Sequence, residues 1–150
     1  MVAELRRVSR WARMLRLAVH EMFDWRDFFR LASELARPED ADPLREARLR
    51  AAIGRAYYAS HWVAREFLIE IAGDEFAERL TGSGLDHLTV IEELQSSAQT
   101  RLRRAGIELD RLRRARTRAD YDASSPVLAD ATERALAQAN RVLTACSAEL

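Results

Sequence analysis

The chain predicts an all-α fold: an antiparallel bundle of about five helices, with an additional amphipathic helix at its N-terminus. Three observations predict it. Of the 150 residues, 48% are apolar, while only five are Gly and three Pro; Ala, Leu, Arg and Glu dominate, and all four favour helix. Apolar residues recur at steps of three and four along most of the chain. No stretch of useful length alternates apolar and polar residues as a half-buried strand does.

The elements follow in order. Leu5, Val8, Ala12, Leu15 and Val19 form one stripe, and Arg6, Arg7, Arg10, Arg13 and Arg16 fill much of the remaining surface. This predicts an amphipathic extension over 1–23 that packs on the bundle or on a partner subunit. The bundle itself is expected over 24–150. Asp24 is a candidate cap for a helix whose stripe is Phe28, Leu31, Ala32 and Leu35, ended by Pro38 and the acids through Asp42. Asp42-Pro43 reads as a cap plus a first-turn proline. A long helix then runs over about 43–72, with Leu49, Ile53, Tyr57, Ser60, Ala64, Phe67 and Ile71 as its inner face and Gly73 as its stop. A short helical turn is expected over 75–80, and Thr81-Gly82-Ser83-Gly84 is the clearest loop. Asp86 is placed to cap the next helix, which carries Leu88, Ile91, Leu94 and Ala98 and is expected to break or bend at Gly106. Ile107, Leu109 and Leu112 continue the pattern toward Tyr121. Ser125-Pro126 starts a last helix holding Leu128, Ala131, Ala135, Leu136, Ala139, Val142, Leu143 and Cys146.

The formal net charge is zero, so total charge attracts no polyanion. Its distribution is uneven. Residues 101–118 hold eight Arg against Glu108 and Asp110, and residues 66–93 hold eight acids against Arg79 alone. A basic docking face, a self-complementary dimer and plainly solvated helix faces all fit this asymmetry. All 24 Lys+Arg positions are Arg, so no lysine enters any catalytic scheme. Cys146 is the single cysteine, which leaves no internal disulfide and fits a reducing cytoplasm. No run approaches the ~20 apolar residues of a membrane span, so no membrane partner is expected. No His-Glu-x-x-His, Glu-x-x-His or phosphate-loop motif occurs, and neither metal nor cofactor is expected.

Two stretches carry specific chemistry. In Arg48-Leu-Arg-Ala-Ala-Ile-Gly-Arg-Ala-Tyr-Tyr-Ala-Ser-His61, two tyrosines sit mid-helix between Arg55 and His61. At ~3.6 residues per turn, Arg55, Tyr58, Ala59 and Trp62 share one side, and Tyr57, His61 and Arg65 an adjoining one. In Leu109-Asp-Arg-Leu-Arg-Arg-Ala-Arg-Thr-Arg-Ala-Asp-Tyr-Asp122, Arg116 and Asp120 can pair one turn apart, which would orient the guanidinium toward a phosphate.

The order and spacing of Phe28-Phe29-Arg-Leu-Ala-Ser-Glu-Leu35, Arg-Ala-Tyr-Tyr-Ala-Ser-His, His87 and Arg116-Thr-Arg-Ala-Asp-Tyr-Asp122 resemble the HEPN (higher eukaryotes and prokaryotes nucleotide-binding) family. The likeness is to its small stand-alone bacterial and archaeal members and covers about residues 24–146. The resemblance implies a small antiparallel bundle, commonly dimeric. It implies RNA or nucleotide handling, as a metal-independent ribonuclease toxin or as a non-catalytic module that pairs with a nucleotidyltransferase-type antitoxin. Catalytic members carry Arg, a few intervening residues and then His on the later helix. Here Arg116 begins that pattern, and Tyr121 stands where the His is expected. A phenol with a pKa of about 10 is a poorer proton carrier near neutrality than imidazole.

Arg55 and His61 meet the Arg-to-His spacing on the earlier helix and are the candidate catalytic pair. Six residues set them roughly 120° apart around a regular helix, so one phosphate meets both only across a bend or a dimer interface. The competing reading has His61 hydrogen-bonded within the bundle and Arg55 paired with a carboxylate. Tyr58, Arg113, Arg116, Asp120 and Tyr121 are the candidate RNA- or nucleotide-binding residues. The functional expectation is that two remote helices bring Arg55, Tyr58, Arg116 and Tyr121 together.

Overall fold

A computed structural model describes residues 23–147, and the expected helix over 1–23 falls almost wholly outside them. Among the described residues there are six helices and no strand: α1 (Arg26–Leu35), α2 (Arg45–Ala72), α3 (Asp74–Ala77), α4 (Asp86–Ser96), α5 (Thr100–Tyr121) and α6 (Ala129–Ala145). The fold is the all-α bundle that the periodicity predicts. No described helix is long and apolar enough to cross a membrane.

The long α2 is the central post, with α1, α4, α5 and α6 packed around it. Cross-helix contacts give the directions. Arg50 reaches the carbonyl of Ala119 while Tyr58 meets Arg116, so α2 and α5 are antiparallel. Trp25 stacks on Trp62 while Phe28 lies beneath Arg55, so α1 also runs against α2. The inner face read from the sequence is buried from Leu49 through Phe67, and only Ile71 emerges at the end. Ala52, Ala56, Ala59 and Ala64 are fully buried between the larger residues, which lets neighbouring backbones approach. Each buried Leu, such as Leu94, Leu109 or Leu112, contributes about 1.5–3 kcal/mol relative to exposure.

Local chemistry marks three of the ends. Gly73 adopts φ 68°, and its amide closes α2 onto Ile69; the positive φ suits the residue that lacks Cβ. Asp42 acts one turn ahead of α2. It accepts the Leu44 amide and pairs with Arg48 Nε at 2.6 Å, and the helix begins at Arg45 rather than at Pro43. Asp24, expected as the cap of α1, stands one residue ahead of the N-cap Trp25 and accepts the Arg26 amide at 2.9 Å.

Four expectations are corrected. Asp86 does not cap its own helix; its carboxylate turns back to the Thr81 and Gly82 amides, at 2.8 Å each, and closes the loop. The break expected at Gly106 falls at residues 97–99, and α5 runs straight through Gly106. Gly106 is instead a contact point. A Cβ there would lie 2.8 Å from Gln95 Cγ and 2.9 Å from Leu94 Cβ, so its bare backbone is what lets α4 and α5 close. The last helix starts at Ala129, past Ser125-Pro126, because the Ser125 carbonyl is held by Arg50. Leu31, Leu88, Ile107 and Leu128, read as parts of apolar stripes, are exposed; helical spacing marks a stripe but does not fix its width.

Candidate functional site

The chemistry-bearing residues gather where α2, α4 and α5 meet, and they divide into a buried cluster and an outer one. The buried cluster is Tyr57, His61 and His87. Tyr57 is 1% exposed and His61 2%, because both point from α2 into the core. The Tyr57 hydroxyl is 2.7 Å from His87 Nδ1, and the two imidazole rings lie 4.2 Å apart between centroids. Burial raises the Tyr57 pKa above its ordinary value, against the pull of Arg113 and Arg116. The phenol is therefore neutral, and donation of its proton to Nδ1 would leave the His87 proton on Nε2.

Burial pushes the His61 pKa down to about 3, helped by His87 and Arg65 and opposed by Asp86. Its Nδ1 is buried without a hydrogen-bond partner among the described residues. A neutral, enclosed imidazole is a weak general acid near neutrality. His87 is half-buried; its pKa is lowered by burial and by Arg116, with Arg113 adding to the effect and Asp86 opposing it.

The outer cluster centres on Arg116. Its Nη2 donates to the Tyr58 hydroxyl at 2.8 Å, and its Nε lies 2.7 Å from Asp120 Oδ2. That second contact is off the line of a good hydrogen bond, so it acts as an ion pair. The guanidinium carbon is 5.3 Å from the ring centroids of both Tyr58 and Tyr121. Partial burial disfavours the Arg116 charge, but Tyr58, Asp120 and Tyr121 together outweigh it and raise the pKa above its ordinary value. Tyr121 is 73% exposed and offers its ring to solvent. Gly54 on α2 lets the Asp120 carboxylate lie close, since a Cβ there would sit 3.7 Å from Oδ1.

One residue anchors this end of α5. Arg50 on α2 donates to the carbonyls of Ala119 at 2.7 Å, Asp122 at 3.1 Å and Ser125 at 2.8 Å, while Glu46 accepts from its other edge. The contacts to Ala119 and Asp122 satisfy carbonyls that the helix end leaves open, and the one to Ser125 ties down the loop that follows.

The expected grouping of Arg55, Tyr58, Arg116 and Tyr121 is present as a chain of neighbours, since the Arg55 guanidinium lies 5.8 Å from the Tyr58 centroid and 4.9 Å from that of Phe28. Arg55 takes no carboxylate partner among the described residues, unlike the competing reading of the sequence. Arg113 is held by Asp110 at 3.1 Å and acts on Tyr57 and His87 through its charge. Arg55 and His61 make no described contact with each other: one lies among Phe28 and Tyr58, the other against His87. His87 was not among the candidate residues, and its closeness to Tyr57 depends on how α4 meets α2. No group of three or more His, Cys, Asp or Glu that could hold a metal ion occurs among the described residues. Comparison with family models, with curated proteins and with solved structures returns no match for this chain.

Proposed function

We propose that this chain is a HEPN-like module that handles RNA or nucleotides by binding phosphate at Arg116 and an unpaired base on Tyr121. One observation carries the reading: Arg116 is oriented by Tyr58 and Asp120 beside a ring that is 73% exposed. A fixed guanidinium keeps donors for a phosphate oxygen, and an exposed ring provides a stacking face. Arg104 and Arg118, exposed along α5, supply further positive charge. In this reading the protein works in the cytoplasm as a homodimer, with a nucleotidyltransferase-type antitoxin as partner.

Binding is favoured over cleavage by Arg55 and His61. The imidazole is enclosed, its pKa is depressed to about 3, and it makes no described contact with Arg55. The metal-independent ribonuclease reading makes the opposite demand, that His61 or His87 move a proton.

Both are tested by RNA binding measured by fluorescence anisotropy alongside cleavage in EDTA, with wild type, Arg116→Ala, Arg55→Ala, His61→Ala and His87→Ala. The expected result is binding without cleavage, weakened on the order of tenfold by Arg116→Ala and by rising salt. Cleavage that disappears in His61→Ala or His87→Ala would replace this reading with the ribonuclease one. Binding indifferent to Arg116→Ala would remove the site.

A further inference from the structure

Arg116 and Tyr121 are one end of a longer arrangement. Starting from Tyr121, each next group lies within 6 Å of the last: Arg116 (5.3 Å), Tyr58 (5.3 Å), Arg55 (5.8 Å) and Phe28 (4.9 Å). Rings and guanidinium groups alternate, and three helices contribute, α5, α2 and α1 in turn. A bundle core does not need this order. It sets two cations with one ring between them, and nothing described neutralises the second: Arg55 has no ion pair or hydrogen bond among the described residues. Beyond Phe28 the character changes, because Trp25 donates its indole N–H to the Glu66 carboxylate at 2.9 Å, and a carboxylate repels phosphate.

We propose that this ladder is a track for single-stranded RNA, with successive phosphates at Arg116 and Arg55 and unpaired bases against the aromatic rings. The proposal rests on the phosphate site at Arg116 and extends it across α2 to α1. Alternating charge and ring faces match an unpaired strand, which exposes both its backbone and its base faces. A duplex keeps its base faces stacked inside and can meet only the two cations. Asp120 fixes the first cation of the track: its Oδ2 lies 2.7 Å from Arg116 Nε, while its Oδ1 turns toward Gly54 on α2. The choice of RNA over DNA comes from the proposed function. Under this assignment Arg55 is a binding residue and not half of a catalytic pair.

The test uses the full chain and four probes: a single-stranded RNA of roughly ten nucleotides, within the size such surfaces hold, a nucleoside 5′-monophosphate, the matching single-stranded DNA and the RNA duplex. Affinities are compared for wild type, Arg116→Ala, Arg55→Gln, Arg55→Lys and Phe28→Leu, with thermal melts to establish folding. The longer RNA is expected to lose on the order of tenfold in affinity on Arg55→Gln, with a smaller loss for Arg55→Lys, which keeps the charge but not the planar face. The mononucleotide, with its single phosphate, is expected to respond to Arg116→Ala and not to Arg55→Gln. If Arg116→Ala weakens the longer RNA while Arg55→Gln and Phe28→Leu leave it unchanged, the track is wrong and the single phosphate site stands. If none of the variants matters, both fall. Equal affinity for the duplex overturns the single-strand assignment, and equal affinity for the DNA overturns the choice of RNA. Should Arg55→Gln melt unfolded, Arg55→Lys and Phe28→Leu decide the matter on the same probes.

Discussion

Two arginine-led stretches, Arg55 to His61 on α2 and Arg116 to Tyr121 on α5, have nearly the same spacing and opposite surroundings. On α2 every residue of the stretch except Arg55 and Tyr58 is buried, and its terminal imidazole is enclosed against His87. On α5 the stretch ends at a ring that is largely in solvent, with its guanidinium tied to Asp120 and Tyr58. Spacing therefore says which residues could share a ligand, while the number of neighbours around each helix decides which of them can reach one. The central α2 is packed on several sides; α5 keeps an open face.

Substitutions can break this contrast. The largest effect is expected at Tyr57→Ala, where removing an almost fully buried ring should cost about 3–5 kcal/mol in urea unfolding. A loss below about 1 kcal/mol would mean that the α2 stretch is not core. Gly106→Ala probes the inward side of α5. Its methyl would meet Gln95 and Leu94 below 3.0 Å, and overpacking of this kind costs about 1–3 kcal/mol. A neutral melt would show that α4 and α5 can part there freely.

Acid sensitivity separates the two stretches further. The folded His61 pKa lies well below its unfolded value, so the unfolded chain takes up the proton first. The stability this group contributes is complete above about 6.5, the unfolded value, and is lost as pH falls toward about 3. His87 acts in the same direction. His61→Phe should leave the neutral-pH melt within about 1 kcal/mol, since an unpartnered buried nitrogen is replaced by carbon, and should flatten the decline below pH 6.5. An unaltered decline would show that His61 is not enclosed in solution. The smallest effect belongs to the outer stretch: Tyr121→Ala should stay within about 0.5 kcal/mol of wild-type stability. A larger shift would place that ring in a packed environment.

The bundle was legible because its signals are local. Continuous three- and four-residue periodicity marked α2 across all its turns, and Gly73 announced its end. The Arg116–Asp120 pair was legible for the same reason, being one turn of one helix. The features that stayed hidden depend on a second element. Gly106 carries the composition of a helix break, and only the approach of Leu94 and Gln95 explains why the helix continues through it. The true break, Ser97-Ala-Gln before Thr100, contains neither Gly nor Pro and leaves no local mark. His87 stood in the sequence as a residue near a helix start; its partner Tyr57 is 30 positions away, a distance that no periodicity spans. Asp86 has the right type and place for a cap, yet the loop amides of Thr81 and Gly82 compete for the same carboxylate and win.

The clamp formed by Arg50 has a consequence for how a ligand would be received. Without it the last turn of α5 would fray, as helix ends do when their carbonyls face only water, and Arg116, Asp120 and Tyr121 would sample many arrangements. Contacts from one side chain on the central helix to the Ala119 and Asp122 carbonyls, with a third to the loop at Ser125, remove that freedom when the chain folds. Anything that docks against this turn thus meets a surface already fixed in shape, and little of its binding free energy goes into arresting motion. Loosening Arg50 would be felt at Arg116 and Tyr121 as slower capture and faster escape, although no atom of Arg50 need touch the bound molecule.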